Sequence, residues 1–250
     1  MADAALLLDV LHGPAPGDRH TAAPPAVPFA EAAGTPPDRL RVGVSLRPWP
    51  VGGRLDPQVV RAVHETARVI EKLGHDVVRI EPPLTDRTGM FSYAPRYVHS
   101  AAVTAAAVDE PRRLSPSTRR LAAFGRLHPQ VMVSAARRYS DRVAERANRV
   151  FDTVDVLLTP VTPRPALRVG ELFERGWFAT ALGAQRHTAF MTLWNLAGNP
   201  AAAVPAGRTG DGLPIGVQLV GRPHDETTLL ALSAQLEAER PWAQLRPPVG

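Results

Sequence analysis

Cysteine is absent from all 250 residues. That excludes disulfides, a thiolate nucleophile and any cysteine-ligated metal, and leaves the fold to be held by packing alone. Lysine occurs once, at Lys72, among 29 basic residues, and the formal net charge is only +5. A bias this uniform toward arginine weakens every argument from basicity, because guanidinium groups do not titrate in the working range. No run reaches eighteen apolar residues, so no membrane span is expected. The opening Met1-Ala-Asp carries no basic region ahead of an apolar stretch, so no secretory signal is expected either. A cytoplasmic location follows as the expectation.

Chemical signatures are scarce in the same way. The eight serines are Ser45, Ser92, Ser100, Ser115, Ser117, Ser134, Ser140 and Ser233, and no two are adjacent. The histidines form no HExxH pair and no close cluster with carboxylates, so no metal site is expected. Gly207, Gly210 and Gly212 lack the following Lys-Thr or the spacing of a phosphate loop. Arg138, Arg142 and Arg146 make an i,i+4 stripe, but Asp141 and Glu145 interrupt it, and a solvated helix face explains it without a nucleic-acid partner. Lys72, between Glu71 and Leu73 near a helix end, reads as a solvated surface lysine.

What is present is a globular composition, with 44% apolar and 21% charged residues and an excess of proline at 26, enough for a sizeable core. Ala2–Leu11 reads as a helix. The stretch 13–39, crowded with Pro, Ala and Gly, reads as an extended linker. Leu40–Leu46 (LRVGVSL) alternates as a strand, and Asp56-Pro57 opens a helix whose Val63, Ala67, Ile70 and Leu73 share a face before Gly74 ends it. His75–Ile80 follows as a second strand, giving a strand–helix–strand unit with a parallel pair. Phe91–Val108 reads as helical with an interruption at Pro95. A long helix over 116–151, broken near Pro129, has Leu121, Phe124, Val131, Ala135, Tyr139, Val143 and Val150 along one side. Asp155–Leu158 is a buried strand, 171–182 a helical piece and Pro214–Val220 a strand. A last helix is capped by Asp225 and closed by Pro241.

Three segments resemble a known family. Thr188–Pro205 (TAFMTLWNLAGNPAAAVP) followed by Gly212–Glu226 (GLPIGVQLVGRPHDE) is similar to the carboxyl-terminal signature of the amidase signature hydrolases. That family includes bacterial amidases and the glutaminase component of aspartyl/glutamyl-tRNA amidotransferase. Asp155–Pro163 (DVLLTPVTP) resembles the family's strand and following loop, and Asp3–Leu11 (DAALLLDVL) the helix after its catalytic segment. The resemblance implies an α/β fold, part of a mixed β-sheet flanked by helices, and hydrolysis of carboxylic amide C–N bonds through an acyl-enzyme, with no cofactor. In the family a serine nucleophile, a bridging serine and a lysine do the chemistry, a neutral amine taking the nucleophile's proton through the second hydroxyl while backbone N–H groups meet the developing oxyanion. These residues precede the segments matched here.

The expectation is therefore the carboxyl-terminal portion of an amidase, truncated before the Ser-Ser-Lys segment, with no catalytic residue of its own. Residues 1–12 would be a helix left from the preceding half, 13–39 a linker, 40–242 the carboxyl-terminal part of the domain and 243–250 a loose tail. Inactivity of the chain alone follows, with a small-molecule amide bound once an amino-terminal half, or self-association, completes the site. Alternatives are a noncatalytic interaction module and a piece of a tRNA-dependent amidotransferase. Thr159, Pro160 and Thr162 either line a substrate pocket at a strand end or stiffen a connector. Asn195 and Asn199 either present amides to substrate or cap a tight bend. Trp177 and Trp194, with Phe178, Phe190 and Met191, either wall an acyl pocket or pack the core.

Overall fold

The structure, a computed structural model, describes residues 1–17, 22–49, 53–83, 89–171 and 176–244. Along the chain run α1 (Ala2–Leu11), α2 (Phe29–Gly34), β1 (Arg41–Val44), α3 (Pro57–Lys72) and β2 (Asp76–Arg79). A helical stretch follows, with α4 (Gly89–Ala106), α5 (Pro116–Arg126) and α6 (Gln130–Asn148). Then come β3 (Val156–Pro160), α7 (Gly176–His187), α8 (Thr192–Ala197), β4 (Ala201–Arg208), β5 (Pro214–Val220) and α9 (Glu226–Glu239).

The five strands form one mixed sheet in the order β2-β1-β3-β5-β4. β1 runs parallel to β2 and β3, with Val42 beside both Val77 and Val156. β5 runs antiparallel to β3 and β4, with Leu219 opposite Leu158 and Val217 opposite Val204. The strand–helix–strand unit is thus as expected. α3 starts where Asp56 Oδ1 accepts from Gln58 N at 2.8 Å with Pro57 in the first turn, and it stops at Gly74, whose φ of +97° suits a residue without Cβ.

Every residue of β3 is buried, because the sheet is covered on both faces. Val156 and Leu158 pack with Val42, Val44, Val217 and Leu219 beneath Val63 and Ile70 of α3 and Leu232 of α9. Leu157 and Val220 pack on the opposite face against Val143 and Ala147 of α6, Phe151, and Leu193 and Trp194 of α8. The alternation along β3 feeds two cores, the pattern of a strand enclosed in an α/β sandwich.

Several local expectations are corrected. Residues 13–39 are not all linker: Phe29–Gly34 is helical, capped by Asp9 of α1, whose carboxylate accepts from Phe29 N at 2.7 Å and Ala30 N at 2.9 Å. The opening helix, expected as a remnant of a preceding half, packs on the rest of the chain: Ala5, Phe29 and Leu230 form a small core that joins α1, α2 and α9. α4 continues through Pro95. The side of 116–151 that faces inward carries Val133, Ala136, Ser140 and Val143, whereas Phe124 and Val131 are exposed. β4 was not expected, because its Ala- and Pro-rich run carries little strand signal; Pro205 is tolerated there on an outer strand next to a register irregularity between Pro205 and Gly207. Of the tail expected at 243–250, residues 245–250 lie outside the described residues.

Candidate functional site

Because β1 and β3 are parallel, both end at the same rim of the sheet, where α/β proteins hold ligands. There the chain leaving β1 passes Ser45, Arg47 and Trp49, and β3 closes on Thr159 and Pro160. Ser45, Arg47, Trp49, Pro82, Leu157 and Thr159 line one side of a crevice, with Ala189, Phe190, Leu193 and Trp194 on the other. Its volume of about 10 Å³ is the room of about one water oxygen.

The crevice is held by fixed hydrogen bonds. Ser45 N donates to Leu158 O at 3.0 Å, and Trp49 N donates to Ala189 O at 3.0 Å, which ties the segment after β1 to the turn before α8. Gln218 of β5 sits opposite Thr159. Its Nε2 donates to Thr159 Oγ1 at 3.2 Å and to Phe190 O at 3.2 Å, while Thr159 Oγ1 donates to Pro160 O at 3.0 Å. Ser45 Oγ donates to Glu81 Oε2 at 3.3 Å and accepts from Arg47 N at 3.3 Å. Trp194 is pinned by Phe151, with ring centroids 5.8 Å apart. The floor of the crevice is therefore preorganised, apolar on the α8 side and polar along the strand ends.

The structure brings together some of the expected residues and separates others. Thr159 and Trp194 line the crevice, and Pro160 is buried beside them as Thr159's acceptor. Thr162 lies further along the loop, where its hydroxyl donates to Arg164 O at 2.8 Å. Asn195 is exposed, because Thr192, Leu193 and Trp194 occupy the buried side of α8. Asn199 follows the left-handed Gly198 that ends α8, and its Nδ2 donates to Asn148 Oδ1 at 2.7 Å and to Gly221 O at 2.8 Å. Trp177 falls on α7, and its side chain lies outside the described residues. Ser45, Arg47, Trp49 and Gln218 were missed. Gln218 carried a signal, as the polar residue in the apolar run PIGVQLV.

α7 meets the crevice from behind. Gln185 Nε2 donates to Thr192 Oγ1 at 3.0 Å, which in turn donates to Thr188 O at 3.0 Å, and this fixes the turn bearing Ala189 and Phe190. His187 ends the helix with its Nδ1 buried and unpartnered among the described residues. Burial pushes its pKa below the ordinary value, the Arg164 cation adds to this, and Glu171 opposes it. The folded state thus favours neutral His187. Its contribution to stability is complete above the ordinary midpoint near 6.5 and is lost as pH falls through the lower folded value. An NMR titration of the His187 ring should give a midpoint below about 6.5; a midpoint at or above that value would contradict the assigned environment. Among the described residues, no group of three or more His, Asp or Glu stands close enough to hold a metal ion, and no helix is long and apolar enough to cross a membrane.

Comparison with known proteins places this arrangement. The amidase family profile matches residues 1–230. AmiB2 of Mycobacterium tuberculosis, named as an amidase, is 40% identical over 248 residues, which is 99% of this chain and 52% of that protein. The 6-aminohexanoate-cyclic-dimer hydrolase of Paenarthrobacter ureafaciens is 32% identical over 272 residues, covering 98% of this chain and 53% of that one. A solved structure of 6-aminohexanoate cyclic dimer hydrolase superposes with a TM-score of 0.88 at 30% identity, over 99% of this chain and 55% of that chain. The chain spans about half the length of the curated relatives it matches.

These findings correct the reading of the resemblance as a carboxyl-terminal portion only. The match begins at residue 1, so α1 and the stretch 13–39 lie inside it, consistent with the packing of α1 and α2 on α9. The fold class is an α/β mixed sheet flanked by helices that matches the amidase domain, without restriction to its second half. With that restriction go the expectations that hung on it: a truncated fragment, inactivity of the chain alone, and dependence on an amino-terminal partner half or on self-association. The chain belongs to the amidase family.

Proposed function

We propose that the chain serves the hydrolysis of carboxylic amide C–N bonds and that the rim of the sheet at the ends of β1 and β3, where the crevice opens, faces the amide substrate. The observation that carries this reading is the rigid Thr159–Gln218–Phe190 network facing Trp194, at the rim of the sheet in a member of the amidase family. Relatives named for hydrolysis of a cyclic amide support it. Preorganised polar groups beside an apolar wall orient an amide without needing to rearrange when it arrives. The reading calls for no cofactor and includes a cytoplasmic place of action, which the lack of cysteine favours.

The test is amine release from 6-aminohexanoate cyclic dimer and from linear carboxamides, with binding of the same compounds followed by indole fluorescence. Saturable binding or turnover is expected. Thr159→Val keeps the volume, removes the hydroxyl and leaves the Gln218 amide without that acceptor, so binding should weaken by roughly three- to tenfold. A chain that neither binds nor hydrolyses any of these amides would overturn the reading.

A further inference from the structure

Acidic residues are unevenly spread along the chain. Residues 111–140, which take in α5 and the first half of α6, contain seven arginines and no Asp or Glu. Their charge of +7 exceeds the +5 of the whole chain, so a uniform preference for arginine over lysine does not account for it. Arg113 is paired outside the segment, with Glu110 at 2.8 Å, while Arg120, Arg126 and Arg138 are exposed. Between these arginines the turn from α5 to α6 carries large apolar side chains into solvent. Leu127 is 77% exposed and Val131 72%, and Phe124 and Met132 are exposed as well. The turn stands away from the sheet. α5 is seated on α4, where Gly125 meets Val98 and Ala102, and no α5 side chain enters the cores on either face of the sheet. The earliest α6 residue packed there is Tyr139, about 12 Å of helix beyond Val131.

An aliphatic tip among arginines, with no acid nearby in the sequence, has a definite complement. A helix face that meets only water mixes both signs, as α6 does further along at Asp141 and Glu145. A second copy of the chain would bring the same positive charge against this one. A nucleic acid would pair with the guanidinium groups but leave Leu127 and Val131 unburied, because aliphatic side chains offer bases no ring to stack on. A layer of anionic phospholipid satisfies both features, with phosphates for the arginines and the edge of the acyl region for the apolar tip. We propose that the turn between α5 and α6 seats the protein on an anionic bilayer surface, Leu127 and Val131 entering the interface and Arg120, Arg126 and Arg138 lying over the headgroups. Since no described helix is long and apolar enough to cross a membrane, the contact is peripheral.

Flotation of the whole chain with lipid vesicles tests this. Vesicles of phosphatidylcholine with about one quarter phosphatidylglycerol should bind it at least about tenfold more tightly than phosphatidylcholine alone, and the difference should shrink as salt is raised. Leu127→Ser combined with Val131→Ser keeps the charge and should weaken binding to the anionic vesicles by about tenfold or more. Arg120→Gln and Arg126→Gln should each weaken it by roughly fivefold. All four positions are exposed, so the variants should keep the parent's far-UV circular dichroism. Because the chain has no cysteine, Leu127→Cys can carry a single environment-sensitive fluorophore. Its emission should shift to the blue on the anionic vesicles, whereas the same label on Val169→Cys, exposed in the chain between β3 and α7, should not shift. Equal binding to the two kinds of vesicle, an unshifted label at Leu127, or binding that survives the double serine substitution would overturn the proposal. Tighter binding to polyuridylate or polyglutamate, indifferent to the serine substitutions, would also overturn it and assign the arginines to a nucleic acid or an acidic protein instead.

Discussion

Truncating Leu158 to alanine should lower the free energy of unfolding by about 2–5 kcal/mol. Leu158 has no exposed surface. It lies on β3 between Val44 and Leu219 in register and packs in the core shared with Val63, Ile70 and Leu232. Strands on both sides and helices above leave few ways for the site to collapse, so the lost transfer energy is joined by the cost of an open cavity. Equilibrium unfolding in urea measures it, with Val131→Ala as the control. Val131 is 72% exposed, and its truncation should change stability by no more than about 0.5 kcal/mol. Comparable losses at the two positions would mean that β3 is not the centre of the core.

The second large effect is expected at a helix crossing. A Cβ placed on Gly125 of α5 would lie 2.0 Å from the carbonyl oxygen of Val98 and 3.0 Å from the Cβ of Ala102, both on α4. The nearer obstacle is backbone, so no rotamer change relieves it and the helices must separate. Overpacking of this kind costs about 1–3 kcal/mol, which outweighs the gain of roughly 1 kcal/mol or less from alanine's helix propensity. Gly125→Ala should therefore lower the melting temperature, as read by far-UV circular dichroism. Gly34, with nothing within 4 Å of its added Cβ, provides the comparison at which alanine should do no harm. A Gly125→Ala chain that melts at or above the parent temperature would show that α4 and α5 are not in this close contact.

Those parts of the fold with local chemistry were legible in the sequence. Asp56-Pro57, the face made by Val63, Ala67 and Ile70, and Gly74 announce α3, and the valine-rich runs on either side announce β1 and β2, because capping and periodicity act within a few residues. β4 was not legible: an Ala- and Pro-rich run becomes a strand only because β5 offers it a partner. Among the candidate residues, Thr159 and Trp194 could be picked out from a strand end and a family segment. Arg47 and Trp49 could not, since their place depends on β1 and β3 being neighbours. Asn195 shared a segment with Trp194 yet faces solvent, a difference set by helix phase rather than by sequence proximity.

The seam between β1 and β3 has a kinetic consequence. β4 and β5 meet across a tight turn, and β1 and β2 across a single helix, so both pairs can close on local contacts. At the seam, by contrast, Arg41 N meets the Asp155 carboxylate 114 residues along the chain. Closing a loop costs only roughly 0.6 kcal/mol more for each doubling of its length, so the length of the chain between the two strands adds little by itself to the equilibrium cost of joining them. Speed obeys a different rule, since partners far apart in sequence slow the search for one another. The same middle strand that makes the sheet continuous is therefore the step on which its folding waits.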